Sequence, residues 1–524
     1  VDLDISKMST EKAVLASPRV ETRMKQVPPD GGWGWMVIFG TALSNIFNQS
    51  MLSLFSLLYG AKLEAMGYKT QGAAIIMSTM LFVTNFGGPI AGAIVKLSSP
   101  RTVAVAGACS CTAGIFLSGF ATNIAHLILT YGVLLGLGLG FIQNSSFVAI
   151  NSYFNLKKSR AVGLANVGTG VGQTLMPYLV STLLSNYGFK PACLILSSLS
   201  LLGIVGTMLI QPVEKHMKTI VEEVVVDETL QLLDDKHKDI VITKTSQVVD
   251  GAYQGNRRST EPNLNQNGKP PPYGFVGDKK SLSHKELNIE KDEQPIENGL
   301  SGEHYKSLIR KIGDLFDVSL LTSPRFLNII IGTALSVTSI QNFSMLYPLY
   351  LKNVAKFEDI HIAMCMSAVA MSDIIGRLTL PYFQDVFKIK ARWMLIMTSV
   401  WLIVIRQILA YQTQFATLIA MSLLYGFGRS MIIVARNIAI SENCRMEQVP
   451  AAVGLGMLTM GIIVPPAGYF LGWIRDYTDS YIVCITAQNM LLIVLLITWI
   501  PDMMLIHFRE QKKKKKDLDE VQLS

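Results

Sequence analysis

Twelve apolar runs of about twenty residues divide this chain, at 35–59, 72–95, 102–121, 126–152, 161–186, 191–211, 326–351, 360–384, 391–411, 415–440, 451–474 and 481–506. At 1.5 Å per residue, a helical run of that length crosses a hydrocarbon core ~30 Å thick. Lipid offers backbone N–H and C=O groups no partners, so each crossing run must satisfy its own hydrogen bonds as a helix. Composition agrees, with 50% of the 524 residues hydrophobic, 16% charged and a mean hydropathy of +0.37. The expected fold is an all-α membrane protein with twelve transmembrane helices.

Several features that would suggest other chemistry have a simpler origin in such a fold. Gly136, Gly138 and Gly140, and again Gly168, Gly170 and Gly172, are spaced like phosphate-binding loops but lie inside apolar runs with no strand before them. Small residues let membrane helices approach closely, so packing explains them. The six cysteines (109, 111, 193, 365, 444 and 484) have neither metal-ligand nor disulfide-framework spacing. Nor is there a nucleophile–base set, so the reading is not an enzyme, with no cofactor and no metal. The net charge of +8 resides in the tails and short loops rather than in a nucleic-acid-binding surface.

Lys and Arg mark the cytoplasmic side of a membrane protein. They cluster in the N-terminal tail, at Lys157, Lys158 and Arg160, at Lys388, Lys390 and Arg392, and at Lys512 to Lys516, whereas the alternate loops hold only scattered Lys62, Lys69, Lys190, Lys352, Lys356 and Arg475. Both termini are therefore expected in the cytoplasm, with the first run serving as an uncleaved signal. The expected organisation is a cytoplasmic tail over 1–34, a six-helix bundle over 35–211, a linker over 212–325, a second bundle over 326–506 and a polybasic tail over 507–524. The linker is too polar to order itself and is expected to be mostly disordered. At its end, Leu308, Ile309, Ile312, Leu315 and Phe316 recur at helical spacing and predict a short amphipathic helix. The lysines of the last tail have two readings, a site that attracts anionic membrane lipid or a solvated tail.

The halves repeat one another: "AVGLANVGTG" opens the fifth run at 161 and "AVGLGMLTMG" the eleventh at 452, with Pro177 and Pro466 following. A parallel repeat of six helices predicts two bundles flanking a central site, the major facilitator fold, which works by rocking one bundle against the other.

Charges inside a bilayer cost about 2.5–3.5 kcal/mol each on insertion scales and need a partner or water. Asp373 and Arg377 stand four apart on one face of the eighth run, Arg429 and Arg436 seven apart on the tenth, and Arg406 near the end of the ninth. An arginine fork facing a cavity matches a carboxylate, with the aspartate holding it when the site is empty or carrying a proton. A structural ion pair is the other reading, and the one favoured for Arg406. In the first run Asn45, Asn48, Gln49, Ser53 and Ser56 form one polar stripe, read as lining the solute path or as bonding between helices. Gln143, Asn144, Asn166, Gln173, Gln341 and Asn342 extend that path.

Two stretches carry a family resemblance. "DGGWGW", Asp30, Gly31, Gly32, Trp33, Gly34 and Trp35, resembles the signature that opens the first helix of the monocarboxylate transporters, solute carrier family 16. "YFNLKKSRAVGLANVGTG", from Tyr153 and Phe154 through Gly163, is similar to that family's second signature, with Leu156 at a usually basic and Arg160 at a usually apolar position. The resemblance implies that Arg377 holds the substrate carboxylate and that Asp373 pairs with it and handles protons. It also implies that some members need a single-span immunoglobulin-like glycoprotein as a partner. The family's proton-coupled lactate carriers have a lysine late in helix one, where this chain has Ser53.

The function expected is a plasma-membrane carrier that moves a small organic anion or amino-acid-like solute by alternating access, facilitatively. The rivals are a proton-coupled lactate or pyruvate symporter, and a transporter-like receptor or scaffold acting through its long loop with little flux.

Overall fold

A computed structural model describes residues 19–67, 70–226, 246–247, 313 and 316–523. The chain forms two compact units, one of Val1–Pro29 with His216–Gly274 and one of Asp30–Lys215 with Phe275–Ser524. In the smaller unit β1 (Arg19–Val27), β2 (Lys218–Val226) and β3 (Ser246–Gln247) make an antiparallel sheet in that order. Arg19 pairs with Val226 and Val27 with Lys218. The sequence reading gave this region to a tail and a mostly disordered linker. The β-branched content of "KTIVEEVVV" is the local signal for the strand. The amphipathic segment expected before the seventh run lies outside the described residues, Phe316 excepted.

The larger unit contains twelve long helices among the described residues, each covering one of the apolar runs. In the first half these are α1 (Gly34–Ser44, a π-helical stretch Asn45–Gln49, then Met51–Ala65), α2 (Thr70–Leu97), α3 (Pro100–Ser118), α4 (Ile124–Leu127, a π-helical stretch Ile128–Leu135, then Gly136–Tyr153), α5 (Lys158–Tyr187) and α6 (Phe189–Met208). In the second half they are α7 (Pro324–Asn353), α8 (Asp359–Val386), α9 (Ala391–Leu409), α10 (Phe415–Ser441), α11 (Val449–Thr478) and α12 (Tyr481–Leu523). The last helix carries the polybasic stretch on beyond the apolar run.

Helix starts follow from capping chemistry. Ser99 and Ser323 each stand before a proline at the first helical position and accept from the backbone N–H of Thr102 and Phe326. Gly188, at φ +78°, turns the chain between α5 and α6 within one residue, a backbone region that side chains other than glycine rarely adopt.

Small residues set how closely the helices pack, since apolar side chains gain nothing by leaving lipid for protein. A side-chain carbon on Gly40 would stand 2.2 Å from the Gly206 carbonyl of α6, and one on Gly168 2.2 Å from that of Ala42. Between these contacts the first half packs Phe55, Tyr59 and Tyr131 into a buried aromatic cluster, and the Tyr131 hydroxyl donates to the Met51 carbonyl at 2.6 Å.

The halves meet along two seams, α2 against α11 and α5 against α8. Odd-numbered helices start, and even-numbered ones end, on the side where α1 begins and α12 emerges, here called the tail side. Gly92 lies against Pro450 and Gly88 against Met457 and Gly454, and the seam reaches mid-span where Gly461 meets Asn85. Asn144 bridges it, donating to the Gly88 and Pro450 carbonyls at 2.9 and 3.2 Å. In the second seam Gly163 packs on Arg377 and Pro381, and Gly170 on Ile374. The structure is thus a state closed on its tail side.

Candidate substrate site and tail-side gate

Asp373 and Arg377 are four residues apart on α8, so helical geometry alone brings them together. The Arg377 Nη2 donates to Asp373 Oδ2 at 2.6 Å, and both side chains are buried, 2% and 4% exposed. The second Arg377 terminal nitrogen crosses between the halves and donates to the Asn166 carbonyl of α5 at 2.6 Å. Asp373 Oδ1 and Arg377 Nε have no partner among the described residues. The sequence reading set this arginine toward a central cavity. Here it is enclosed in the α5–α8 seam, because Gly163 and Gly170 let the two helices approach over it.

Arg429 and Arg436 of α10 both lie within electrostatic range of Arg377. Among the described residues Arg436 reaches only the Met460 sulfur, at 3.6 Å, and its buried Nε meets no acceptor. No acceptor meets Arg429 among the described residues. Among the described residues, Asp373 is the one carboxylate paired with Arg377, while the other two guanidinium groups lie within electrostatic range of that arginine.

Toward the tail side, Asp385 of α8 closes the first turn of α5. Its oxygens accept from the Ser159 and Arg160 backbone N–H groups at 3.3 and 2.9 Å, the groups a helix start leaves without internal partners. The Arg160 side chain approaches the same carboxylate at 3.5 Å and stacks over the Tyr382 ring, 4.1 Å from its centroid. One aspartate from the second half therefore caps, and pairs with, the opening turn of a helix in the first.

The two signature stretches are parts of one structure. Asp30 Oδ1 accepts from the N–H groups of Asn155 and Leu156 at 2.7 and 2.8 Å, and the Asp30 N–H donates to the Tyr153 carbonyl at 3.1 Å. Gly34 has no side chain because the Phe154 ring occupies its place, 2.8 Å from where a Cβ would stand. Trp35 meets that ring edge-on, and Trp33 Nε1 donates to the Leu209 carbonyl at 3.1 Å. The start of α1 is thereby tied to the loop that launches α5.

The polar stripe of α1 does not hold together. Its π-helical stretch turns less per residue than an α-helix, so Asn45 and Asn48 face different neighbours. Asn45 donates to the Ala165 carbonyl of α5 at 3.0 Å. Asn48 is wholly buried against α6, accepting from Ser200 Oγ at 2.6 Å and donating to Ser44 Oγ at 3.3 Å, so in this structure it joins helices. Gln49 is half-buried and Ser56 exposed, whereas the Ser53 side chain lies outside the described set. Asn166 contributes its carbonyl to Arg377, while its side chain folds back on Val162. Asn342 turns back on Thr338, and Gln143, Gln173 and Gln341 are half-buried. Arg406 is fully buried among aromatic rings, 4.7 Å from the Phe343 centroid and 5.2 Å from that of Tyr425, donating to Ser339 Oγ at 2.7 Å.

Comparison with known proteins agrees with this architecture. The family model described as Major Facilitator Superfamily matches residues 37–468, most of the chain. The chain belongs to the Major Facilitator Superfamily. It is accordingly a multi-pass membrane protein of a solute-transporter superfamily. The crystal structure of the Escherichia coli fucose:proton symporter FucP has the same fold, with a TM-score of 0.55 over 89% of this chain and 96% of that one at 13% identity. Curated relatives include monocarboxylate transporter 13 of Rattus norvegicus, 32% identical over 185 residues, which are 35% of this chain and 43% of that protein. Monocarboxylate transporter 2 of Homo sapiens is 32% identical over 192 residues, 37% of this chain and 40% of the relative. The matched stretches cover less than half of each relative. They agree with the resemblance read from the two signatures.

Within that superfamily fold, the residues that sequence reasoning missed are those whose partners lie on the other half. Asp385 stands near the end of its run with no marked spacing to Arg160, whose departure from the family pattern was the sole signal. Asn144 was visible only as a polar residue in an apolar run.

Proposed function

We propose that this chain carries a carboxylate-bearing organic solute across the plasma membrane by alternating access, with Arg377 as anion anchor and Asp373 as its exchange partner. The observation that carries the reading is the charge imbalance around Arg377: Arg429 and Arg436 lie within electrostatic range, and Asp373 is the one carboxylate paired there among the described residues. Guanidinium groups held away from water favour an anionic ligand, and a carboxylate matches an arginine fork by two hydrogen bonds. The names of the curated relatives point the same way.

In the closed state Arg377 is occupied by Asp373 and the Asn166 carbonyl. An arriving carboxylate replaces these acceptors, and the α5–α8 seam separates as the halves rock, with the tail side taken as cytoplasmic. Facilitative movement is proposed because Ser53 occupies the place where the family's proton-coupled lactate carriers have lysine. One observation favours the proton-coupled reading instead: Asp373 Oδ1 is buried and meets no donor among the described residues. Two membrane partners complete the proposal, an accessory single-span glycoprotein and anionic lipid at Lys512 to Lys516.

The test is uptake of labelled monocarboxylates, aromatic amino acids, thyroid hormones and carnitine-like solutes into cells expressing the chain, each compared with its uncharged amide or ester. Transport of an acid but not of its amide supports the reading. Equal transport of both, or of neither across the panel, refutes it.

A further inference from the structure

A charged cavity, apart from the Arg377 cluster, opens at the tail-side end of the second half. It has a volume of about 700 Å³ and is lined by the starts of α7 and α9, the turn after α10 and one flank of α12. Cavities of this size accept ligands of several hundred daltons. Arg325, Lys390, Arg392 and Arg445 line it, and the lining carboxylate, Glu442, is committed to the first N–H of α9, accepting from Ala391 at 3.0 Å.

The buried arginine of its lining is the decisive feature. Arg392 is 2% exposed and stacks on Trp499, 5.0 Å from the ring centroid. One terminal nitrogen is paired with Asp502 at 2.6 Å, yet Nε and Nη2 are buried with no partner among the described residues. Asp502 is also shared with Arg325, at 4.0 Å. Glu442 and Asp502 are thus both already engaged, and the Arg392 guanidinium retains two donors with no acceptor among the described residues.

Other features of the lining bear on its charge. The α7 helix starts at the cavity wall, so its dipole presents positive charge there. Burial, with the Asp317 carboxylate as the smaller cause, raises the Cys444 thiol to about 11, which leaves it neutral at physiological pH. Met503 and Ile506 of α12 supply an apolar flank where the apolar run gives way to the polybasic extension. Cations, a helix start and an apolar flank at the level of lipid headgroups suit a ligand with several phosphate charges.

We propose that this cavity binds a polyphosphorylated anion, with Arg392 and the rim residues Arg325, Lys390 and Arg445 holding its phosphates. The ligand is either the headgroup of a phosphorylated inositol lipid or a free phosphorylated metabolite. Since its walls come from the second half alone, an occupant stabilises that half without bridging the gate.

The experiment follows thermal unfolding of the purified full-length protein in detergent by intrinsic fluorescence. The probes are short-chain phosphatidylinositol 4,5-bisphosphate, inositol 1,4,5-trisphosphate and, at matched ionic strength, sodium sulfate. The expected result is a rise in Tm of at least about 2 °C with one or both phosphorylated probes and no such rise with sulfate. The Arg325→Gln/Arg445→Gln double variant should melt as the unliganded wild type does and lose the rise. A rise with both probes means that the headgroup suffices, and a rise with the lipid alone assigns the ligand to the membrane surface; either outcome supports the site. No rise with either, an equal rise with sulfate, or a rise kept in the double variant overturns it. If the double variant loses its native transition, Arg445→Gln alone is read by the same criteria, since Arg445 lies on the exposed turn before α11.

Discussion

Replacing Asp385 with alanine removes a contact that exists only while the tail side is closed. Two elements of the contact can be weighed. Loss of a capping carboxylate from a helix start costs about 1 kcal/mol, and here two N–H groups lose their acceptor. The Arg160 pair, at 3.5 Å with side chains 29% and 7% exposed, is solvated on one side and adds at most about 1 kcal/mol. Together they stabilise the closed state by roughly 2 kcal/mol, which is about a 30-fold change in the opening equilibrium. A tail-open state populated at ~1% would then rise to roughly a quarter of the molecules. The assay is pulsed electron–electron distance measurement between spin labels at Leu156→Cys and Phe387→Cys, both exposed positions beside the latch, in a background lacking the six native cysteines. The wild type should give one short distance, and Asp385→Ala should add a longer one. Asp385→Asn, which keeps an oxygen to cap α5 but loses the charge, should fall between. An unchanged distance distribution accompanied by a lower Tm would refute the latch and leave Asp385 a purely structural cap.

Three further outcomes follow from the same geometry. Asp30→Ala removes the acceptor shared by Asn155 and Leu156 and should lower stability by about 1–2 kcal/mol, read as a lower Tm in detergent. Gly40→Val places carbon where the Gly206 carbonyl stands and should prevent α1 from docking on α6, seen as loss of folded protein in size-exclusion chromatography. Uptake of the solute identified in the panel should change less than about twofold between external pH 7.5 and 6.0, and strong acid-driven accumulation would move the assignment to proton coupling through Asp373.

The fold was legible because its constraints are local. Lipid forces each apolar run to be a helix, and the repeat of "AVGL" at 161 and 452 places those helices in two halves. The pairing of Asp373 with Arg377 was legible for the same reason, since four residues of helix bring them together. What escaped the sequence depends on long-range register. The π-helical stretch at Asn45–Gln49 rotates Asn48 away from the stripe that an ideal helix predicts, and toward Ser200. Asp385 finds Arg160 only once α5 and α8 are packed together. The strands Arg19–Val27 and Lys218–Val226 lie nearly two hundred residues apart, in segments whose overall polarity masked a short β-branched run. Arg377 itself was identified by residue type and spacing, but its enclosure between the halves depends on Gly163 and Gly170 of a helix distant in sequence.

Uptake by Arg377→Ala, measured with the identified carboxylate solute at matched surface expression, tests the central assignment most directly. Removing the anchor leaves Asp373 buried without its cation, so Arg377→Ala/Asp373→Asn is measured beside it to separate misfolding from loss of binding. The account predicts that both variants reach the surface and that uptake falls at least about 100-fold, the scale of a lost charge-assisted pair. Wild-type uptake in either variant at equal surface density would contradict it.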